Sequence, residues 1–334
     1  MTVSDHARSS DTGVVAPRFQ QLRDTLAHRI VGQQGLVDRL LIALLADGHL
    51  LVEGAPGLAK TTAIKTLADH LEGDFHRVQF TPDLLPADIT GSEIFRAEQG
   101  LFEFQPGPLF HNFLLADEIN RAPAKVQSAL LEAMAERQVS VGQKTYPLDD
   151  LFLVMATQNP IEQEGTYPLP EAQLDRFLMF VRIDYPDPAA ERQILRLARS
   201  EQLNTPPKDG FRITRGDLFQ ARQSVARLYM ADSVEDYLLA LVLATRGVHG
   251  GGNQPDLSRH ISFGASPRAT IALDRCARAH AWLQGRDYVS PDDVRAVAHD
   301  VLRHRVLLTF EAEAEGIHPD QLIDQLLATV PIPV

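Results

Sequence analysis

A glycine-rich loop within residues 50–62 is the first candidate for chemistry. The stretch reads LLVEGAPGLAKTT, an apolar run followed by small residues and then by Lys60 and Thr61 at the start of a helix-forming segment. Backbone N–H groups of such a loop, and of the helix that follows it, attract phosphate oxygens. In the G-x-x-x-x-G-K-[ST] pattern the lysine reaches the terminal phosphates and the hydroxyl ligates Mg²⁺. The candidate nucleotide-binding residues are Gly54, Ala55, Pro56, Gly57, Leu58, Ala59, Lys60, Thr61 and Thr62.

One position of this loop departs from the pattern, because Ala59 stands where the last glycine is expected. A Cβ is penalised strongly only at positive φ, so the alanine is tolerable if this position has helical dihedral angles. The loop taken alone has a second interpretation, a Gly/Pro turn followed by a threonine that caps a helix. Residues further along the chain favour the nucleotide interpretation.

Two carboxylates at the end of another apolar run are the next candidates. Residues 113–118 read FLLADE, so Asp117 and Glu118 would end a buried strand. In open α/β sheets, ligands bind at the carboxyl ends of the strands. Asp117 would hold Mg²⁺ there, and Glu118 would orient and polarise the attacking water, as phosphoryl transfer requires. A pair of solvated acids is the alternative, but the lysine loop upstream favours the catalytic interpretation.

Three further side chains could complete a site for phosphoryl transfer. Asn159 ends the next apolar strand, where its amide could hydrogen-bond the γ-phosphate and the attacking water, although Asn-Pro is also an ordinary turn. Arg176 lies in the sequence LDRF, and Arg268 lies in SPRA at the start of a helix. A guanidinium that faces the γ-phosphate stabilises the charge of the transition state. Each arginine considered singly is more often a surface or ion-paired residue.

The composition excludes several other classes of protein. The 334 residues carry a net charge of −12, which disfavours a nucleic-acid-binding surface. The single cysteine, Cys276, excludes an internal disulfide, and the histidines show no metal-binding spacing. The N-terminal residues lack the apolar segment of a signal peptide, and the longest apolar runs have seven residues, too few to span a membrane. We therefore expect a cytoplasmic protein.

The elements that must position these residues divide the chain into two main parts. Short apolar strands alternate with helices as far as residue 185, which predicts an α/β sheet of parallel type. Alternating residues in 93–105 and 139–148 predict two β-hairpins within this part. Beyond it only helical periodicity is visible, which predicts a smaller helical domain. The expected organisation is a loose tail in residues 1–17, an α/β core in 18–185 and a helical domain in 186–334.

Five motifs, taken in order, resemble those of the MoxR family of AAA+ ATPases. They are GAPGLAKT at 54–61, LADEINRAP at 115–123, ATQNP at 156–160, EAQLDRF at 171–177 and GASPR at 264–268. The likeness covers nearly all of the chain after residue 18, and this family commonly has alanine before the loop lysine. The resemblance implies a Walker A motif at 54–61, a Walker B motif at Asp117 and Glu118, sensor 1 at Asn159, an arginine finger at Arg176 and sensor 2 at Arg268.

The resemblance also implies a fold and a mode of action. The fold would be an AAA+ P-loop core with a parallel sheet, followed by a smaller all-α lid. Residues 81–108 would be the helix-2 insert and residues 139–148 the pre-sensor-1 hairpin. AAA+ proteins of this clade assemble as rings, usually hexamers, with ATP between subunits. Arg176 would then act on the nucleotide of a neighbouring subunit, while sensor 2 could act within its own subunit or on the neighbour.

The family resemblance further implies a chaperone-like ATPase that remodels, matures or activates a client protein. Such ATPases often have a partner with a von Willebrand factor A domain. This chain has no D-x-S-x-S motif of that domain, so the partner would be a separate chain. The two predicted hairpins are the parts expected to touch a client.

Three other functions remain open at this point. A chelatase-type motor subunit would use the same chemistry. A nucleic-acid motor is a more distant alternative, which the net charge of −12 disfavours. A scaffold that binds nucleotide without hydrolysing it is disfavoured by the intact Glu118.

Overall fold

The chain folds as an α/β core followed by a mainly helical region, in a computed structural model that describes residues 12–98, 100–160, 165–203, 210–247 and 257–333. The strands are β1 (Leu50–Glu53), β2 (Phe75–Gln79), β3 (Gly91–Arg96), β4 (Leu101–Pro106), β5 (Phe113–Asp117), β6 (Gln138–Val141), β7 (Lys144–Pro147), β8 (Leu153–Gln158), β9 (Met179–Arg182), β10 (Tyr229–Met230), β11 (Ile261–Phe263), β12 (Tyr288–Val289) and β13 (Leu307–Leu308). The α-helices are α1 (Thr12–Arg29), α2 (Gln34–Leu45), α3 (Lys60–Asp69), α4 (Pro86–Thr90), α5 (Ala124–Glu136), α6 (Glu171–Leu174), α7 (Pro188–Leu203), α8 (Arg215–Ala226), α9 (Asp232–Ala244), α10 (Pro267–Leu283), α11 (Pro291–Leu302), α12 (Phe310–Ala314) and α13 (Pro319–Thr329).

A five-stranded sheet with the order β2-β5-β8-β1-β9 forms the centre of the core, and all its neighbouring strands are parallel. Its central strands are apolar on both faces, as expected of a sheet with helices on each side. Leu50 and Val52 belong to the apolar cluster on one face, and Leu51 belongs to the cluster on the other. The parallel arrangement brings the ends of β1, β2, β5 and β8 to one edge of the sheet. The predicted α/β class is confirmed.

Both predicted hairpins are present as antiparallel pairs. β3 pairs with β4, and β6 pairs with β7. Gly91 fits its position because it has a φ of 90°, and a Cβ there would lie 2.2 Å from the carbonyl oxygen of Gln105. Phe104 of the first hairpin stacks on Tyr146 of the second, with ring centroids 3.9 Å apart. The two hairpins therefore touch each other.

The helical region begins at α7 and confirms the predicted lid, with two additions. Two pairs of very short strands, β10 with β12 and β11 with β13, lie among its helices. Neither these short strands nor α12 and α13 were predicted from the sequence. The lid shares a single apolar cluster with α1 and α2, to which Phe19, Leu40, Leu273 and Leu326 all belong.

The N-terminal boundary differs from the prediction. Helix α1 begins at Thr12 and contains Pro17, so residues 12–17 are helical rather than part of a loose tail. Residues 1–11 of the predicted tail lie outside the described residues. Val15 and Phe19 are buried in the apolar cluster, and these contacts explain why the helix extends into the predicted tail.

Candidate functional site

The glycine-rich loop connects β1 to α3 and leaves the start of that helix uncapped. Gly57 has a φ of 84°, and no side chain hydrogen-bonds the N-terminus of α3. The first backbone N–H groups of α3 are therefore available to an anion. Ala59 does not have the helical dihedral angles that would make the alanine tolerable there, because its φ is 57°, in the left-handed region. The chain turns there from the loop into α3, and an alanine in this conformation costs about 1 kcal/mol.

Lys60 folds back over the loop that precedes it. Its Nζ donates hydrogen bonds to the carbonyl oxygens of Gly54, at 2.5 Å, and Ala55, at 3.3 Å. Burial lowers the pKa of Lys60, while the carboxylates of Asp117, Glu118 and Glu53 oppose that shift. The ammonium group thus lies beside the loop, with carboxylates near enough to favour its charged form.

Asp117 ends β5, where two neighbouring strands supply its partners. Its Oδ1 accepts a hydrogen bond from the Thr157 hydroxyl at 2.6 Å, and its Oδ2 accepts one from Arg77 Nη2 at 2.6 Å. Thr157 is 1% exposed and also accepts a hydrogen bond from the backbone N–H of Glu118 at 2.9 Å. A buried threonine of β8 therefore fixes both acidic positions at the sheet edge.

The backbone of Glu118 is strained, and hydrogen bonds hold its side chain in place. Its φ of 57° places it in the left-handed region, which is uncommon for a residue with a Cβ. Its Oε2 accepts hydrogen bonds from Gln79 Nε2 at 2.8 Å and from Arg121 Nη1 at 3.0 Å. Such outliers are often found at active sites, where the surrounding structure maintains them.

A single cleft is lined by the loop, the carboxylates and Asn159. Its lining residues are Pro56, Gly57, Leu58, Ala59, Lys60, Thr61, Thr62, Arg77, Gln79, Asp117, Glu118 and Asn159. The structure therefore brings together the phosphate-binding candidates, the Walker B candidates and the sensor 1 candidate. Asn159 is 6% exposed at this edge.

The oxygen donors of this cleft fit a magnesium ion. The Thr61 hydroxyl and the Asp117 carboxylate are hard ligands, and Mg²⁺ commonly takes one or two such protein ligands together with substrate phosphates and water. No group of three or more His, Cys, Asp or Glu side chains suited to a metal occurs among the described residues.

A second, more apolar pocket adjoins the phosphate loop. It shares Gly57, Leu58, Ala59 and Thr62 with the first cleft, and it reaches Val31, Gln33, Pro186, Ile194, Leu197 and Ala198. Apolar walls with a few polar groups suit a flat aromatic ring. These residues could not be identified from the sequence, because they come together only where α7 packs against the loop that follows α1.

Arg176 and Arg268 line a different cleft, which they share with Asp175, Arg275 and Arg305. Arg176 Nη1 donates a hydrogen bond to the Leu131 carbonyl oxygen at 2.7 Å, and Arg268 Nη1 lies 3.6 Å from Asp175 Oδ2. Within the described chain, neither arginine lines the cleft that contains Lys60. The structure thus brings the two arginines together but does not bring them to the phosphate loop of their own chain.

The fold and the cleft define an ATPase of the AAA+ class. Residues 49–179 match the ATPase family associated with various cellular activities (AAA), and residues 256–326 match the AAA lid domain. A solved structure of a proposed ATPase from Cytophaga hutchinsonii is similar with a TM-score of 0.86 and 44% identity, covering 97% of each chain.

The chain belongs to the MoxR family of these ATPases. It is 50% identical to the protein named Chaperone MoxR1 of Mycobacterium tuberculosis, over 91% of this chain and 79% of that protein. It is 36% identical to the protein named MoxR of Paracoccus denitrificans, over 95% of this chain and 96% of that protein. The predicted family and ATPase activity are therefore confirmed. No helix in the described ranges is long and apolar enough to cross a membrane.

Proposed function

We propose that this chain hydrolyses ATP with Mg²⁺ at the cleft beside β1. The loop and Lys60 would bind the phosphates, and Thr61 and Asp117 would hold the ion, which would supply neutralisation of the phosphate charge. Glu118 would orient and polarise the attacking water, with Asn159 beside it. The hydrogen bonds from Gln79 and Arg121 to Glu118 support this role, because they hold the carboxylate at the mouth of the cleft.

The nucleobase would occupy the apolar pocket that adjoins the phosphate loop. Four loop residues line both cavities, so one ligand can extend from one cavity into the other. Ile194 and Leu197 of α7 would contact one side of the base. Binding of ATP would thus join the first helix of the lid to the loop.

The observation that carries the proposal is that one chain contains two half-sites in separate clefts. One half contains Lys60, Asp117 and Glu118, and the other contains Arg176 and Arg268. Phosphoryl transfer requires both kinds of residue around the γ-phosphate. We infer that the halves meet between copies in a closed ring, which would be a hexamer, with Arg176 and Arg268 acting on the neighbour.

A mixing experiment tests this arrangement. The Glu118→Gln variant should lack hydrolysis but still offer its Arg176, and the Arg176→Ala variant should keep a complete phosphate cleft. Each protein alone should be nearly inactive, whereas their mixture should regain ATPase activity. An arginine finger contributes about 10³- to 10⁵-fold to kcat, so the recovery should be well above the background. A mixture as inactive as its components would contradict the proposal.

The family membership supports a chaperone-like role, in which the ring remodels, matures or activates a client protein. A separate chain with a von Willebrand factor A domain would be its partner.

A pull-down with Glu118→Gln tests this role. The variant should bind ATP without hydrolysing it, so it should retain the client in the presence of ATP and lose it in the presence of ADP. Lys60→Ala is the matched control, since it should retain the client in neither nucleotide. Equal retention by both variants would reject the nucleotide-dependent client.

A further inference from the structure

Arg305 lies in the lid just after α11, and its side chain is 2% exposed. Its guanidinium makes five hydrogen bonds, which is the full donor capacity of the group. Nε donates to Asp175 Oδ1 at 2.8 Å, and Nη2 donates to the carbonyl oxygens of Phe177 and Asp175 at 2.5 and 3.3 Å. Nη1 donates to the carbonyl oxygens of Leu178 and Val301 at 3.1 and 2.6 Å. Four of these bonds hold the short segment of residues 175–178.

Other groups of the lid hold the same segment. His304 Nε2 lies 3.2 Å from the Phe177 carbonyl oxygen, and the Ser266 hydroxyl donates to Asp175 Oδ2 at 3.0 Å. Arg268 Nη1 lies 3.6 Å from the same oxygen of Asp175. The lid therefore contacts the chain on both sides of Arg176, through α10 at one point and through the end of α11 at another.

Different parts of the protein hold the backbone and the side chain of Arg176. The side chain donates to the Leu131 carbonyl oxygen of α5, a single bond to the core. The backbone on either side is bound by the buried Arg305, which also pairs with the partly buried carboxylate of Asp175. Removing one partner of such a pair leaves the other charge uncompensated and costs stability. The segment also continues into β9 of the central sheet, and the Leu178 N–H donates to the His49 carbonyl oxygen at 2.8 Å. It therefore lies between sheet and lid, and a change in the lid contacts would shift Arg176 and strain its bond to Leu131.

We propose that Arg305 and Asp175 are positioning residues that couple Arg176 to the lid, so that the position of the lid in one subunit sets the hydrolysis rate in its neighbour. The inference rests on the proposed action of Arg176 between subunits. It adds that the arginine half-site is bound to its own lid as well as to the sheet of its own core. Neither Arg305 nor Asp175 needs to touch ATP for this effect.

The test uses the mixed ring, with Arg176→Ala as the hydrolysing subunit and Glu118→Gln in excess as the donor of Arg176. Arg305→Lys is then added to the donor alone. A lysine ammonium is a single point of donation and cannot span the four acceptors in residues 175–178. The kcat of the mixture should fall about 10- to 100-fold, because small misplacements of a catalytic group cost this much. The KM for ATP should stay unchanged, since ATP binds to the other subunit.

Arg303→Lys in the donor is the matched control. Arg303 is also a buried lid arginine, 9% exposed, but it donates to the Phe180 carbonyl oxygen and to Asp320, away from Arg176. This control should leave the kcat of the mixture within about twofold of the unmodified donor, as expected of a contact that does not reach the catalytic group. Melting temperatures of both donors should be compared, and Asp175→Asn provides a second variant of nearly identical shape that should also lower kcat.

Three results would overturn the inference. One is a donor with Arg305→Lys or Asp175→Asn that activates its neighbour fully. Another is an equal loss with Arg303→Lys, which would indicate general loosening of the lid. The third is a mixture that is inactive even with the unmodified donor. That last result would reject the action of Arg176 between subunits, and this inference with it, whereas the first two would leave the proposed function intact.

Discussion

In the proposed site, Lys60 is the residue on which nucleotide binding should depend most directly. Its ammonium group donates to two carbonyl oxygens of its own loop, at a place where phosphate oxygens can replace them. Carboxylates of Glu53, Asp117 and Glu118 lie near enough to raise its pKa against the effect of burial. The three carboxylates therefore favour the charged form of the group, which lies near the end of β1, so little reorganisation is needed when an anion arrives.

We expect Lys60→Ala to weaken ATP binding by about 10- to 100-fold, since a hydrogen bond to a charged group contributes about 1.5 to 3 kcal/mol. Isothermal titration calorimetry with ATP measures the effect directly. Lys65→Ala is the control, because Lys65 is exposed on the same helix, α3, and does not line the cleft. Unchanged affinity in Lys60→Ala would remove the basis of the phosphate site.

The sequence predicted the side chains that line the phosphate cleft but not the residues that hold them. Lys60, Asp117, Glu118 and Asn159 follow recognisable local patterns. Thr157 does not, because its bonds to the acidic pair depend on β8 lying next to β5, a fact of strand order rather than of spacing.

The same limit applies to Arg77 and Gln79, which reach the carboxylates through the pairing of β2 with β5. The left-handed conformation of Ala59 was not predicted either. A pattern of residue types shows where a loop lies, but the angle at which its chain enters the helix is set by the packing of both elements.

Among the elements, β1 depends on a buried histidine that precedes it. His49 Nδ1 accepts a hydrogen bond from the backbone N–H of Val154 in β8 at 3.1 Å. Its Nε2 lies 3.3 Å from the carbonyl oxygen of Met134 in α5, to which the neutral ring can donate. The imidazole thus connects the central sheet to the helix that follows the acidic pair. Burial lowers the pKa of His49 to about 4.

This shift predicts a loss of stability in mild acid. Below a pH of about 6.5 the unfolded chain binds a proton at His49 that the folded chain does not, so the free energy of unfolding falls as the pH decreases towards 4. From pH 7.5 to 5.5 the loss should be about 1 kcal/mol for this residue. The buried His304, whose pKa is lowered in the same way, adds to it.

Urea unfolding at the two pH values measures the loss. A glutamine can replace both hydrogen bonds without titrating, so His49→Gln should show a smaller pH dependence than the natural chain. The exposed His28→Gln should retain the full pH dependence. An equal pH dependence in all three proteins would show that His49 does not contribute.

The length of each strand or helix determined whether it could be predicted from the sequence. Mainly apolar strands of four to six residues, such as β1, β5 and β8, are long enough to show their character in the sequence. The lid strands β10, β12 and β13 have two residues each, too few for any periodicity. They exist because distant segments meet, Tyr229 beside Tyr288 for example. The helical class of the lid was nevertheless predictable, since its long helices carry most of its residues.

The separation of the two half-sites affects the whole molecule in a way that does not depend on the identity of the client. The chain buries a continuous apolar cluster between lid and core, so its own arginine cleft cannot easily reach its own phosphate loop. Another copy can supply the missing half without any rearrangement of the fold. Hydrolysis should therefore require assembly, and assembly should strengthen when ATP bridges two subunits.

We expect the ATPase rate per subunit to rise with protein concentration and then reach a plateau, because dilution separates the arginine half-site from the phosphate half-site. Arg176→Ala should show a low rate that does not change with concentration, since its subunits can meet but supply no guanidinium. Steady-state rates over a dilution series, with light scattering on the same samples, relate activity to the assembled fraction. A rate per subunit that is constant down to a fully monomeric sample would show that one chain suffices and that Arg176 has another role.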